Sequence, residues 1–194
     1  MAIVELDEFK TIQLKKPNSV GREVAIEGRQ CWKMLDCSFY KANFDAAFDK
    51  GSEKMGIGIV IIDRNGDVLA TLTTSKDKVG SVFHAKCYAL SRALRLCEEL
   101  GMEQVLFKGD AKSVVHAINS RTEDNSWMGQ VIEYMKSLLP AHDSSTTIFS
   151  YRDSNVVAHT LAKLAMKSDA KSIWLGEGPK EILSVIVKDK YGIG

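Results

Sequence analysis

The stretch from Met55 to Thr74 constrains the fold more than any other. Met55 to Asp63 is apolar at odd and even positions alike, as in a strand covered on both faces. Asn65-Gly66 follows, a pair that readily takes the positive backbone angles of a tight hairpin turn, and Asp67 to Thr74 supplies the returning strand. Upstream, Tyr40, Ala42, Phe44, Ala46 and Phe48 alternate with Lys41, Asn43, Asp45 and Ala47. That is the period of a strand with one polar face. Three antiparallel strands are therefore expected first.

The period then lengthens. Over Val82 to Leu100, Phe83, Cys87, Leu90, Leu94 and Cys97, with Ala93 and Leu100, make one stripe at helical spacing, and Gly101 stops the helix. Gln104 to Lys108 reads as a fourth strand, followed by Gly109-Asp110 and a helix from Ala111 to Asn119. Trp127 to Leu139 predicts another helix, ended by Pro140. Thr146 to Tyr151 predicts a fifth strand, and Asn155 to Lys167 the helix after it. The tail, with Trp174, Pro179 and the run Ile182 to Val187, predicts a short closing helix or strand. Meandering strands followed by strand–helix alternation predict an α/β domain. Its five-stranded mixed sheet is antiparallel over the first three strands, then parallel, with helices on its faces.

Residues 1–37 have little period and contain the turn-rich basic patch KKPNSVGRE. They read as an amino-terminal arm or linker, or a disordered leader. Residues 38–194 then form the domain with a short carboxy-terminal extension.

Composition narrows what such a domain can do. The net charge is +1, from 26 Lys and Arg against 25 Asp and Glu, so any nucleic-acid footprint has to be local. The cysteines Cys31, Cys37, Cys87 and Cys97 never stand at CxxC spacing, and His84 with Cys87 lacks the further ligands zinc needs. Reduced thiols in a cytoplasmic or nuclear protein are expected. The mixed, acidic start MAIVELDEFK resembles neither a secretory signal nor a transit peptide. The longest apolar run, Ile57 to Ile62, suits a buried strand and is far short of a membrane span. No membrane association is expected.

This arrangement can gather four polar residues at one edge, although spacing alone does not require it. Asp45 lies on the polar face of the first strand, and Asp110 ends the fourth, at the carboxyl edge where parallel sheets place their sites. Lys86, near the start of the first helix, and His159, one turn in from Asn155, can reach the same edge. Each has a plain alternative. Asp110 can cap the following helix, and Asp45 can be solvated beside Lys41. His159 can be a half-buried residue with one hydrogen bond, and Lys86 can snorkel to water.

The segments KANFDAAF, GIGIVIIDRNGDVLA, AKCYALSRALRLCEELGMEQVLFKGDAKSVVHAIN and YRDSNVVAHTLAKLA, with the tail around Trp174 and Pro179, resemble the ribonuclease H fold from about Lys41 to Asp189. The resemblance is to the plant version tied to non-LTR retroelement reverse transcriptases. It implies cleavage of the RNA strand of RNA–DNA hybrids by four carboxylates holding two magnesium ions, one activating water and the other stabilising the leaving oxygen. Carried over by position, Asp45 and Asp110 are retained carboxylates, although Ala46 replaces the glycine that usually follows the first. Lys86 stands where a glutamate belongs, in Ala85-Lys86, and His159 where aspartate is most frequent.

Glutamate to lysine changes the local charge by two units. With His159 counted as neutral, the quartet goes from roughly −4 to roughly −1, and a magnesium ion about 4 Å from an ammonium meets about 8 kcal/mol of repulsion at a dielectric of about 20. Two aspartates facing each other without metal also repel, so Lys86 is expected to form a salt bridge with one or both.

The resemblance therefore implies a degenerate, catalytically inactive ribonuclease H module that binds RNA–DNA hybrid or RNA through phosphate contacts. The candidate binding residues are Lys41, Asn43, Lys112, Ser113, Arg152 and Asn155. No cofactor is expected, with magnesium on Asp45 and Asp110 only if activity remains. The alternatives are an active magnesium-dependent hybrid ribonuclease and a repurposed protein–protein interaction module using the arm and the tail around Trp174.

Overall fold

The computed structural model describes residues 40–120, 126–139 and 145–191. The expected arm over residues 1–37, with Cys31 and Cys37, lies outside them, as does Pro140. Strands β1 (Tyr40–Asp49), β2 (Lys54–Ile62) and β3 (Val68–Lys76) come first, then helix α1 (Val82–Glu99). Strand β4 (Val105–Gly109) and helices α2 (Lys112–Asn119) and α3 (Trp127–Leu138) follow. The chain continues through β5 (Thr146–Phe149), α4 (Val156–Ala165), β6 (Ser172–Leu175) and α5 (Lys180–Tyr191). This is the expected α/β ribonuclease H-like fold.

Among the described residues the sheet order is β5-β4-β1-β2-β3-β6, six strands where five were expected. The sixth, β6, pairs antiparallel with β3. At four residues, SIWL, it is too short to display a period, and its Ile173 and Leu175 pack on the main core. The tail therefore holds both a strand and a helix. Antiparallel pairing joins β1, β2 and β3, while β1–β4 and β4–β5 are parallel. Among the described residues no helix is long and apolar enough to cross a membrane.

Strand β2 explains how both faces of the sheet are covered. Met55, Ile57, Ile59 and Ile61 join the main core, which α1 and α3 also line, whereas Val60 and Ile62 join a smaller cluster with Val157, Ala158, Leu161 and Ile182. The smaller face also carries Gly56 and Gly58. A Cβ on Gly58 would stand 2.2 Å from the Ala158 carbonyl oxygen and 2.3 Å from the Ala162 nitrogen. The missing side chains let the backbone of α4 settle onto the sheet. The polar face of β1 is consequently no solvent face: Asn43 and Asp45 are buried.

Helix α1 starts where the sequence places it. Ser81 caps it, its hydroxyl accepting from the His84 backbone N–H at 3.2 Å, and Gly101 follows its end at φ +68°. The apolar stripe faces the core, with Cys87, Leu90, Ala93, Leu94, Cys97 and Leu100 all buried.

Candidate functional site

Asp45 sits at the middle of β1, opposite Gly58 in the ladder, and is wholly buried. A lone carboxylate in that position is strongly disfavoured. Both of its oxygens are engaged: Oδ1 accepts from Lys86 Nζ, and Oδ2 lies 2.8 Å from His159 Nδ1. With the proton on Nδ1 the imidazole donates to Asp45.

Lys86 belongs to the early part of α1, where the helix dipole opposes a cation. The two carboxylates outweigh that. Besides Asp45, its ammonium bonds Asp110 Oδ1 at 2.5 Å, and the side chain keeps only 10% of its surface exposed. It does not snorkel, and it makes salt bridges to both aspartates.

Asp110 follows the last residue of β4. It does not cap α2, whose capping position is Ala111, with no side-chain cap bond. Its Oδ2 instead lies 3.6 Å from Arg152 Nε. Burial pushes the Asp110 carboxyl up, but the bond and charge of Lys86, with Asp45 and Arg152, outweigh this and hold it below the ordinary carboxylate value.

The four residues of the quartet thus meet, delivered by β1, α1, the end of β4 and α4. The six residues expected to touch nucleic acid divide. Lys112, Ser113 and Arg152 are exposed around Asp110, and Lys41 is half-buried. Asn43 and Asn155 are buried, and their amides hold the fold together: Asn43 Nδ2 donates to the Ser154 carbonyl at 3.4 Å and Asn155 Nδ2 to the Phe44 carbonyl at 3.0 Å. These bonds tie β1 to the turn that precedes α4.

The contact of Arg152 with Asp110 was not expected, nor was the part played by Gly58. For Gly58 a signal existed, since glycines two apart on one face of an apolar strand mark close backbone approach. For Arg152 there was none, because the contact depends on how β4 and β5 align.

The arrangement does not fit the magnesium pair that the fold resemblance implies. Magnesium needs free, hard oxygen ligands around concentrated negative charge. Here an ammonium holds both aspartates, and an imidazole occupies the other oxygen of Asp45. Among the described residues no group of three or more His, Cys, Asp and Glu side chains is placed to hold a metal ion. What the site provides is a buried, mutually satisfied charge cluster.

Solved structures share this architecture. Ribonuclease H1 of the halophilic archaeon Halobacterium salinarum is 22% identical, with a TM-score of 0.62 over 69% of this chain and 100% of that one. LC11-RNase H1, solved in complex with an RNA/DNA hybrid, is 17% identical, with a TM-score of 0.58 over 66% of this chain and 96% of that one. The foamy viral protease-reverse transcriptase, also solved with an RNA/DNA hybrid, is 15% identical, with a TM-score of 0.54, and 23% of its chain is covered by 78% of this one. At these identities the likeness is one of fold. No curated protein matches the chain significantly. The family model described as Reverse transcriptase-like matches residues 43–165, a span that begins on the buried face of β1, ends with α4 and contains Asp45, Lys86, Asp110 and His159. By that match over most of its length, the chain belongs to the reverse transcriptase-like family.

Proposed function

We propose that this chain is a ribonuclease H-like module that binds RNA–DNA hybrid or RNA and does not cleave it. The observation that carries this reading is Lys86, whose ammonium bonds Asp45 and Asp110 together. Hydrolysis by two metals needs those carboxylates as ligands and an anionic site. In this chain a permanent cation stands in for the metal charge, so the scaffold keeps its shape without metal.

Binding has different requirements. Phosphate contacts come from cations and backbone N–H groups, and Lys112, Ser113 and Arg152 are exposed beside the cluster. With a net charge of +1, the affinity is modest and falls with salt. The plant group tied to non-LTR retroelements, which the sequence resembles, frequently carries histidine in the place of the fourth carboxylate, and His159 favours assigning the chain to it.

The test uses labelled RNA–DNA hybrid and labelled RNA with magnesium or manganese. Wild type is expected to shift the hybrid at low salt and leave its RNA strand intact, while the Lys86→Glu/His159→Asp variant regains cleavage. Cutting by wild type would overturn the inactive reading. Absence of binding to either probe would overturn the nucleic-acid reading and favour a protein-interaction module.

A further inference from the structure

Tyr151 is the most exposed large hydrophobic side chain among the described residues, at 75%. Its backbone is nonetheless held on both sides. The Ser150 N–H donates to the Gly109 carbonyl at 2.9 Å, continuing the β4–β5 alignment beyond the strand, and the Ser154 N–H donates to the Tyr151 carbonyl at 2.9 Å. The turn closes on buried Asn155, which is tied to β1 through Phe44. The ring is braced by Phe149, edge to face, with centroids 5.2 Å apart. Arg152 comes next, its side chain 65% exposed and its Nε near Asp110.

A solvent-facing aromatic on an anchored backbone, next to a guanidinium in sequence, has the components of a site for one nucleotide: a π-face for the base and a cation for its phosphate. Charge alone contributes little, because Asp153 is exposed in the same turn and Arg152 already faces Asp110. The ring has to supply the selectivity. Bases stacked inside a duplex hide their faces, so away from a duplex end only an unpaired base can use it.

We propose that Tyr151, braced by Phe149 and flanked by Arg152, is a stacking platform for an unpaired nucleobase, directing the module to places where single strand meets duplex. This rests on the nucleic-acid reading above and deepens it.

The experiment compares two fluorescent hybrids of the same duplex sequence, one blunt and one carrying an unpaired RNA tail. Each is titrated with wild type, Tyr151→Ala and Tyr151→Phe. Stacking of one base is worth about fivefold or more in affinity. Wild type should prefer the tailed probe by at least that factor. Tyr151→Ala should bring the ratio of the two affinities to about one, and Tyr151→Phe should keep it. Equal affinity of wild type for both probes, or a ratio that survives Tyr151→Ala, overturns the platform while the nucleic-acid reading stands. Binding to neither probe overturns both and assigns the exposed ring to a protein partner.

Discussion

Gly58 stands directly opposite Asp45 in the β1–β2 ladder, and the helix carrying His159 rests on it. The absence of a side chain on β2 thus sets how near the imidazole comes to the carboxylate. A Cβ at Gly58 would meet backbone atoms of α4, which cannot rotate away as a side chain can. Gly58→Ala is expected to destabilise the domain by about 1–3 kcal/mol or more. A urea melt checks this against Gly51→Ala, where the new Cβ would meet only Asp49 Oδ1 at an ordinary 3.6 Å and little change is expected.

Cys87 and Cys97 lie in the stripe that α1 presses on the sheet. Burial pushes both thiols up to about 12, with Arg92 opposing it slightly at Cys97. At pH 8 only about one part in ten thousand of either is thiolate, the form that reacts. In a Cys31→Ser/Cys37→Ser background the native protein should react with a thiol reagent only as fast as it opens. Rapid labelling of either thiol without denaturant would contradict the burial.

Much of this was legible in the residues. The Met55–Thr74 hairpin and the α1 stripe follow from period and turn chemistry, whereas the Lys86 salt bridges were expected only through the ribonuclease H resemblance, which sets Asp45 and Asp110 opposite the lysine. β6 escaped because four residues carry no period. The burial of Asn43 and Asp45 escaped because alternation marks a face as polar without saying what covers it. Only Gly56 and Gly58 hinted that a helix would. The Arg152 contact depends on alignment between β4 and β5, strands separated by two helices, and no local pattern encodes it.

The depressed carboxyl of Asp110 has a direct acid signature. Its folded-state value lies below the ordinary 3.8, so between the two the unfolded chain binds more protons, and stability rises with pH there. The contribution is complete above about pH 4 and fades as pH falls through the folded-state value. Asp110→Asn should melt below wild type at neutral pH, with the gap narrowing in acid. Thermal melts from pH 7 to about pH 3 provide the comparison.

Removing the cation alone should be worse than removing the cluster's charge in pairs. Lys86→Met leaves Asp45 fully buried, with His159 as its remaining hydrogen-bond partner and the Asp110 carboxylate close by, a change expected to destabilise by about 3–5 kcal/mol. Asp45→Asn/Lys86→Met removes both charges and should recover part of that. A double-mutant cycle in urea then gives a coupling of about 1 kcal/mol or more. Additive losses would mean that Lys86 stabilises the domain through its stem and not its charge.

The last expectation concerns metal directly. Lys86→Glu replaces the bridging ammonium with a third carboxylate next to Asp45 and Asp110. Without divalent ions the variant should melt well below wild type, because three close acids repel and one of them is wholly buried. Magnesium that binds only the folded form stabilises it by RT ln(1 + [Mg]/Kd), about 2.7 kcal/mol at a hundredfold excess over Kd. The melting temperature of Lys86→Glu should therefore climb with added magnesium, whereas that of wild type should stay level. This readout needs no catalysis, so it separates loss of metal binding from loss of chemistry. A wild-type melting temperature that rises with magnesium as steeply as the variant's would show that the ion can displace Lys86, and the cluster would then be a metal site in waiting.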